Sequence, residues 1–279
     1  MCLCTKVIQG LPLLDAIRAA ADIGYGAIEL FGTPNHLPVD TPDDSVKEAA
    51  RLCDELDVDV ATICAYVGNF DSIDDAACEQ QMDAFKRNLE FAGMLESKWI
   101  RVNPTYVGCE RTPTSDDVKR FAEWARRCAD LAAGRGRGIC LENNLNMVAT
   151  LLGTMDTLKA IGRDNVAVSY DPGNIIRADT KHYGRPAVEA LMDRIEVLQI
   201  KQIDMTVDNL EDPKVFVFYD EGHVDYDEIY EAIAPSKVLK YVSVECHKPP
   251  ADGMTEKDVA AREYKLIREH AGKYFDELR

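Results

Sequence analysis

Glu142, Asp171, Gln199 and Glu245 each stand at or near the C-terminal end of a short apolar run in this 279-residue chain. Such runs read as parallel β-strands, and when eight of them close into a barrel their C-terminal ends converge on one face. Four oxygen donors arriving there could hold a single divalent cation. Three carboxylates and one amide form a hard, all-oxygen ligand set. It suits Mn²⁺ first, with Mg²⁺ or Ca²⁺ as alternatives at bonds of about 2 to 2.6 Å, and suits zinc poorly, because zinc favours nitrogen and sulfur. The plainer reading is that Glu142 and Glu245 cap helices or pair with Arg101 and Lys201.

Eight β-rich runs can be read: LCTKV, AIELF, VDVATICAY, WIRVN, GICLE, VAVSYD, IEVLQIK and YVSVE. Between them lie stretches such as SDDVKRFAEWARRCADLAAG, in which apolar residues recur every three or four positions behind Asp, Ser or Thr caps. Strict alternation of strand and helix implies a parallel sheet, and eight repeats favour closure. The expected fold is α/β, a single-domain (β/α)8 TIM barrel spanning 1–279. Neither G-x-G-x-x-G after the first strand nor GxxxxGK[ST] occurs, so dinucleotide and P-loop readings lose their support.

Side chains alternate across a strand, so one phase of each run faces the barrel axis and the other faces the helices. With Ile28, Leu30, Ile100, Val102, Val168, Tyr170, Leu198, Ile200, Val242 and Val244 turned to the helices, the axial phase receives Glu29, Arg101, Asn103, Ser169, Asp171, Gln199, Lys201, Ser243, Glu245 and His247. Glu142 and Asn144 share the axial phase of the fifth run. Buried carboxylates at this density demand mutual pairing or a cation. Lys201 is placed either to orient a substrate oxygen or to neutralise carboxylates. Arg101 and Asn103 are candidates for contact with substrate, with pairing of Arg101 to Glu29 as the more ordinary role. His247 is expected near the site mouth. Cys246 is expected in the core, and His36, His182 and His270 on loops or helix surfaces without a catalytic role. The acidic segment 202–220 is expected to be a long connection shaping the pocket as a lid.

A net charge of −17 argues against nucleic acid as partner. Nine cysteines without a CxxC pair point to a reducing cytoplasm, and no apolar run approaches the roughly 20 residues of a membrane span. A small-molecule carbohydrate is the expected partner, with self-association left open.

The segments GYGAIELFG, LENN, YDPGN, VLQIK, EGHVDYDEIYEAI and VSVECH, in this order, resemble the xylose isomerase-like TIM-barrel superfamily of sugar phosphate isomerases and epimerases. The resemblance implies that Glu142 and Glu245 act as both metal ligands and proton carriers, with Asp171 as a further ligand. It places Asn144 where many relatives carry a substrate-binding His, and Asn174 where ketose epimerases carry another. At the seventh strand the family's metal-binding His is Gln199 here, and Gln202 replaces an Asp. Hydroxypyruvate isomerases are similar in placing Gln at that ligand position. The implied function is divalent-metal-dependent isomerisation or epimerisation of a small sugar, keto-inositol or keto-sugar through an enediolate. The alternatives are a dehydratase or lyase using the same site, or a barrel subunit that has lost catalysis. A nuclease like endonuclease IV would need a His-rich zinc cluster, and the chain holds only five His.

Overall fold

The structure, a computed structural model, describes residues 1–104, 113–144, 146–209 and 212–275. Its centre is a closed parallel barrel of β1 (Cys2–Cys4), β2 (Ala27–Phe31), β3 (Asp59–Cys64), β4 (Trp99–Arg101), β5 (Gly138–Glu142), β6 (Val166–Tyr170), β7 (Ile195–Ile200) and β10 (Tyr241–Val244). Strands β8 (Gln202–Ile203) and β9 (Phe216–Val217) form a separate antiparallel pair. The intervening helices are α1 (Leu13–Ile23), α2 (Asp43–Leu56), α3 (Asp75–Met94), α4 (Ser115–Ala133), α5 (Leu151–Ile161), α6 (Pro172–Ile175), α7 (Arg185–Leu191), α8 (Tyr226–Ile233) and α9 (Glu256–Ala271).

Helix starts follow local chemistry. Thr114 and Thr255 each complete a capping box, with Asp117 and Asp258 respectively, and Asp225 accepts from the Glu228 amide at the head of α8. Among the described residues no helix is long and apolar enough to cross a membrane.

The alternation of strand faces is as read from the sequence. Ile28, Leu30, Ile100, Val102, Val168, Leu198, Ile200, Val242 and Val244 join one large apolar cluster with the helices. The inner phase is lined low in the barrel by small groups and Trp99, as in the clusters Cys2–Ala27–Ala61 and Trp99–Cys140–Ala167. Polar groups take over towards the C-terminal ends. At the opposite end Glu196 accepts from Lys98 Nζ and Trp99 Nε1, both at 2.9 Å, tying β7 to β4.

Two local expectations need correction. Of the run LCTKV only Leu3 and Cys4 are strand, within β1, and Thr5–Ile8 turns as a 3₁₀ helix. The cause is the Thr5 hydroxyl, which accepts from the Phe31 amide at 3.0 Å. A side-chain oxygen thereby takes the place of the next ladder acceptor. The segment 202–220 is also less open than a simple connection. Gln202 and Ile203 pair with Val217 and Phe216, and Asp212 caps the 3₁₀ turn Pro213–Val215 that delivers β9. Leu210 and Glu211 lie outside the described residues, as does Cys109. The eight described cysteines are all free and buried.

Candidate active site

Strand β5 ends on Glu142, Asp171 follows β6, Gln199 is the penultimate residue of β7, and Glu245 follows β10. All four are at most 2% exposed. One carboxylate oxygen from each of Glu142, Asp171 and Glu245 lies within 4.8 Å of the others, a spacing that can hold one ion.

Basic side chains share this space. Arg101 Nη1 donates to Glu142 Oε2 at 2.5 Å, so the expected Arg101–Glu29 pair is not the one formed. Barrel stagger carries the guanidinium past β2's Glu29 towards the end of the neighbouring strand β5. Lys201 Nζ sits 2.6 Å from Asp171 Oδ2 and 2.7 Å from Glu245 Oε2. Burial favours its neutral amine, but the two carboxylates outweigh that and hold it protonated, well above its ordinary value. Glu245 is opposed by burial, yet Lys201 and His247 keep it well below the usual carboxylate range. Asp171 shares the same ammonium without the histidine, and burial pushes it up to about 7.

Asparagines frame the carboxylates. Asn103 Oδ1 accepts from the Glu142 amide at 3.0 Å, and Asn144 and Asn174 Nδ2 donate to Glu142 Oε1 at 3.3 and 3.1 Å. Asn103 therefore fixes the Glu142 backbone. It also meets Gly68 in an isolated parallel bridge, which requires that glycine's φ of +136° and lack of a side chain. Asn143 clasps the Asp171 peptide through both its amide groups, at 2.6 and 2.7 Å. His247 reaches the site mouth, with Nε2 3.7 Å from Glu245 Oε1 and its ring against Phe216. Burial and the Lys201 charge lower its pKa, leaving a neutral imidazole.

One contributor, Tyr226, escaped the sequence reading, and two residues it named, Asn174 and Glu29, make contacts it did not foresee. Tyr226 Oη accepts from the Lys201 amide at 2.8 Å and donates to its carbonyl at 3.0 Å, setting the backbone from which Lys201 projects. Asn174 Oδ1 accepts from Lys201 Nζ at 3.2 Å, so one amide links both halves of the site. Glu29, fully buried, accepts from Ser243 at 2.6 Å and Gln199 Nε2 at 3.1 Å. A tyrosine one residue into α8 carries no sequence mark of such a role. Among the histidines, His36 lies on a loop as expected, but is buried there with Nε2 3.1 Å from the Leu11 carbonyl. Cys246 is in the core.

The donor set fits a hard divalent cation on charge grounds. With all four ionised, Glu29, Glu142, Asp171 and Glu245 carry four negative charges against two positive ones from Arg101 and Lys201, an excess that one divalent ion would balance; without it burial pushes both Glu29 and Asp171 up to about 7. Gln199 Oε1 is buried without a hydrogen-bond partner, an available neutral oxygen. Lys201 holds oxygens of two carboxylates, so ammonium and cation compete for them.

A family model described as xylose isomerase-like TIM barrel matches residues 17–270. The inosose dehydratase of Serratia proteamaculans (strain 568) is 23% identical over 250 residues, covering 81% of this chain and 83% of that protein. Among solved structures, the IolI protein with a bound zinc atom superposes with a TM-score of 0.85 at 19% identity, covering 99% of both chains. L-ribulose 3-epimerase superposes with a TM-score of 0.79 at 16% identity, covering 98% of this chain and 95% of that one. At these identities the structural likeness speaks for the fold.

Proposed function

Because the chain belongs to the xylose isomerase-like TIM-barrel family, we propose that it is a divalent-metal-dependent isomerase or epimerase of a small keto-sugar or keto-inositol. The observation that carries this reading is the convergence of Glu142, Asp171 and Glu245 from three strand ends onto one space, within 4.8 Å of one another. Glu142, Asp171, Gln199 and Glu245 would hold the ion, manganese or magnesium by the hardness of the donors. When bound, such an ion supplies Lewis acidity that stabilises negative charge developing on adjacent substrate oxygens.

The chain's own groups provide the proton transfer. Glu142 and Glu245 rise from strands on different sides of the barrel mouth, one to remove the proton α to the carbonyl and the other to return it. Arg101 holds Glu142 in place. Lys201, fixed as a cation, stabilises the enediolate oxygen electrostatically and cannot serve as a base at neutral pH. Asn144 and His247, at the mouth, are placed to contact substrate hydroxyls.

Proton return to the opposite face gives epimerisation, and return to the neighbouring carbon gives isomerisation. Loss of a β-hydroxyl from the same enediolate gives dehydration, a second reading favoured by the inosose dehydratase relative. NMR of keto-inositols and ketoses incubated with the Mn²⁺-loaded protein in D₂O tests the proposal. Solvent deuterium at the carbon α to the carbonyl, with the molecular formula otherwise conserved, is expected. Loss of water would move the assignment to a dehydratase, and no exchange in any keto-sugar or keto-inositol would overturn both.

A further inference from the structure

Next to the carboxylate centre lies a second convergence with different chemistry. Cys4 from β1, Glu29 from β2 and Cys64 from β3 each offer a ligand atom, and these atoms lie within 4.8 Å of one another. All three residues are at most 1% exposed. We propose that Cys4, Cys64 and Glu29 form a second cation site, rich in thiolate, that takes a zinc-class divalent ion beside the carboxylate centre.

The ligand types select the ion. Two sulfurs and one carboxylate suit zinc, with bonds of about 2.3 Å to sulfur and about 2.0 to 2.2 Å to oxygen. A tetrahedral ion with such bonds separates its sulfurs by about 3.8 Å, within the spacing seen here. Among the described residues Glu29 has no basic partner: its Oε2 accepts from Ser243 and Gln199, and burial pushes its carboxyl up to about 7. Arg101, the nearest expected counter-charge, is spent on Glu142, and Glu29 Oε1 faces only the Cys64 thiol, at 3.8 Å. Among the described residues no lysine, arginine or histidine pairs with it.

Two oxygens are alternatives for the fourth, tetrahedral position, Gln199 being available here only where it does not serve the carboxylate centre. Gln199 Oε1 is buried and unpartnered, on an amide whose nitrogen already touches Glu29. Glu245 Oε1 accepts from Cys4 Sγ at 3.7 Å, while its Oε2 meets Lys201. Glu245 could thus bridge the two sites, one oxygen to each. Binding is balanced by proton release: two thiols lose their protons to solvent and become thiolate ligands.

A disulfide is the competing use of two facing cysteines, and the topology disfavours it. β1 and β3 flank β2, so their Cα atoms are two strand spacings apart, about 9 to 10 Å. A disulfide spans roughly 4.4 to 6.8 Å between Cα atoms. An ion between the sulfurs bridges the longer gap.

The test is refolding of the full chain with Co²⁺ after chelation, because the ligands are enclosed. Expected are two ions per chain and an intense sulfur-to-cobalt charge-transfer absorption. Cys4→Ser with Cys64→Ser should lose that band and one ion. Asp171→Asn should keep the band, which separates this site from the carboxylate centre of the proposed function. Should the serine variant not fold, X-ray absorption of the zinc-loaded wild type decides. Two sulfur neighbours at about 2.3 Å support the site. An oxygen and nitrogen shell alone, or a cobalt band that persists in the serine variant, overturns it.

Discussion

At the scale of single residues, the candidate site is a contest between internal and external cations for the same oxygens. Lys201 holds Asp171 and Glu245 together. Lys201→Met is expected to leave two buried carboxylates unpaired and lower metal-free stability by about 3 kcal/mol or more. Mn²⁺ should restore most of that loss and bind more tightly than to wild type. Calorimetry that shows weaker Mn²⁺ binding in the variant would mean the ammonium does not compete with the ion. Glu142→Gln and Glu245→Gln should each lower kcat by orders of magnitude with the far-ultraviolet circular dichroism unchanged. Near-normal turnover in either variant would remove that residue from proton transfer. The buried placement of Glu142, Asp171, Gln199 and Glu245 at or near strand ends was legible because a strand's end and phase locate its last side chains. The Arg101 partner was not, since strand phase shows which residues point inward but not which neighbour the barrel's stagger brings opposite.

At the scale of elements, what holds the site is backbone placement at strand ends. Gly68 passes so close to Asn103 that an added Cβ would stand 1.7 Å from its carbonyl oxygen. Gly68→Ala should therefore cost at least 2 to 3 kcal/mol in chemical denaturation, through strain at positive φ and displacement of Asn103. An unchanged midpoint would show that the loop simply moves aside. Helix α9 offers a pH test. Its Glu263 is buried against β9's continuation, accepts from the Tyr219 amide at 3.2 Å, and is pushed up by burial to about 7. An acid whose folded pKa is raised withdraws stability as pH climbs from its unfolded value through the folded one. Glu263→Gln should then gain little near pH 5 and up to about 3 kcal/mol near pH 8. A gain that does not change with pH would exclude this carboxyl as the source. The helices themselves were readable from period and caps. The Thr5 turn and the β8–β9 pairing were not, because both depend on contacts between segments remote in sequence.

At the scale of the whole molecule, the charge of −17 is spread over a fold that gathers three acids, Glu142, Asp171 and Glu245, at one end of its axis. Binding of an ion only to the folded chain must raise global stability. Mn²⁺ at about 100 times its Kd should add about 2.7 kcal/mol, several degrees in Tm. A melting curve indifferent to Mn²⁺ after chelation would count against a folded-state site. Closure of the ring was legible from the eight repeats, whereas the thinness of its joint was not. β1 meets β10 through two register pairs, Cys2 with Ser243 and Leu3 with Val244, while β10 meets β7 through four. The hoop is thus fastened like a bracelet, by a small clasp between links that lie at opposite ends of the string. Cys4 and Glu245, 241 positions apart, flank that clasp and touch across it. An ion gripping Glu245 and its neighbours would pin the fastening shut, so occupancy of the mouth and integrity of the hoop become one mechanical event.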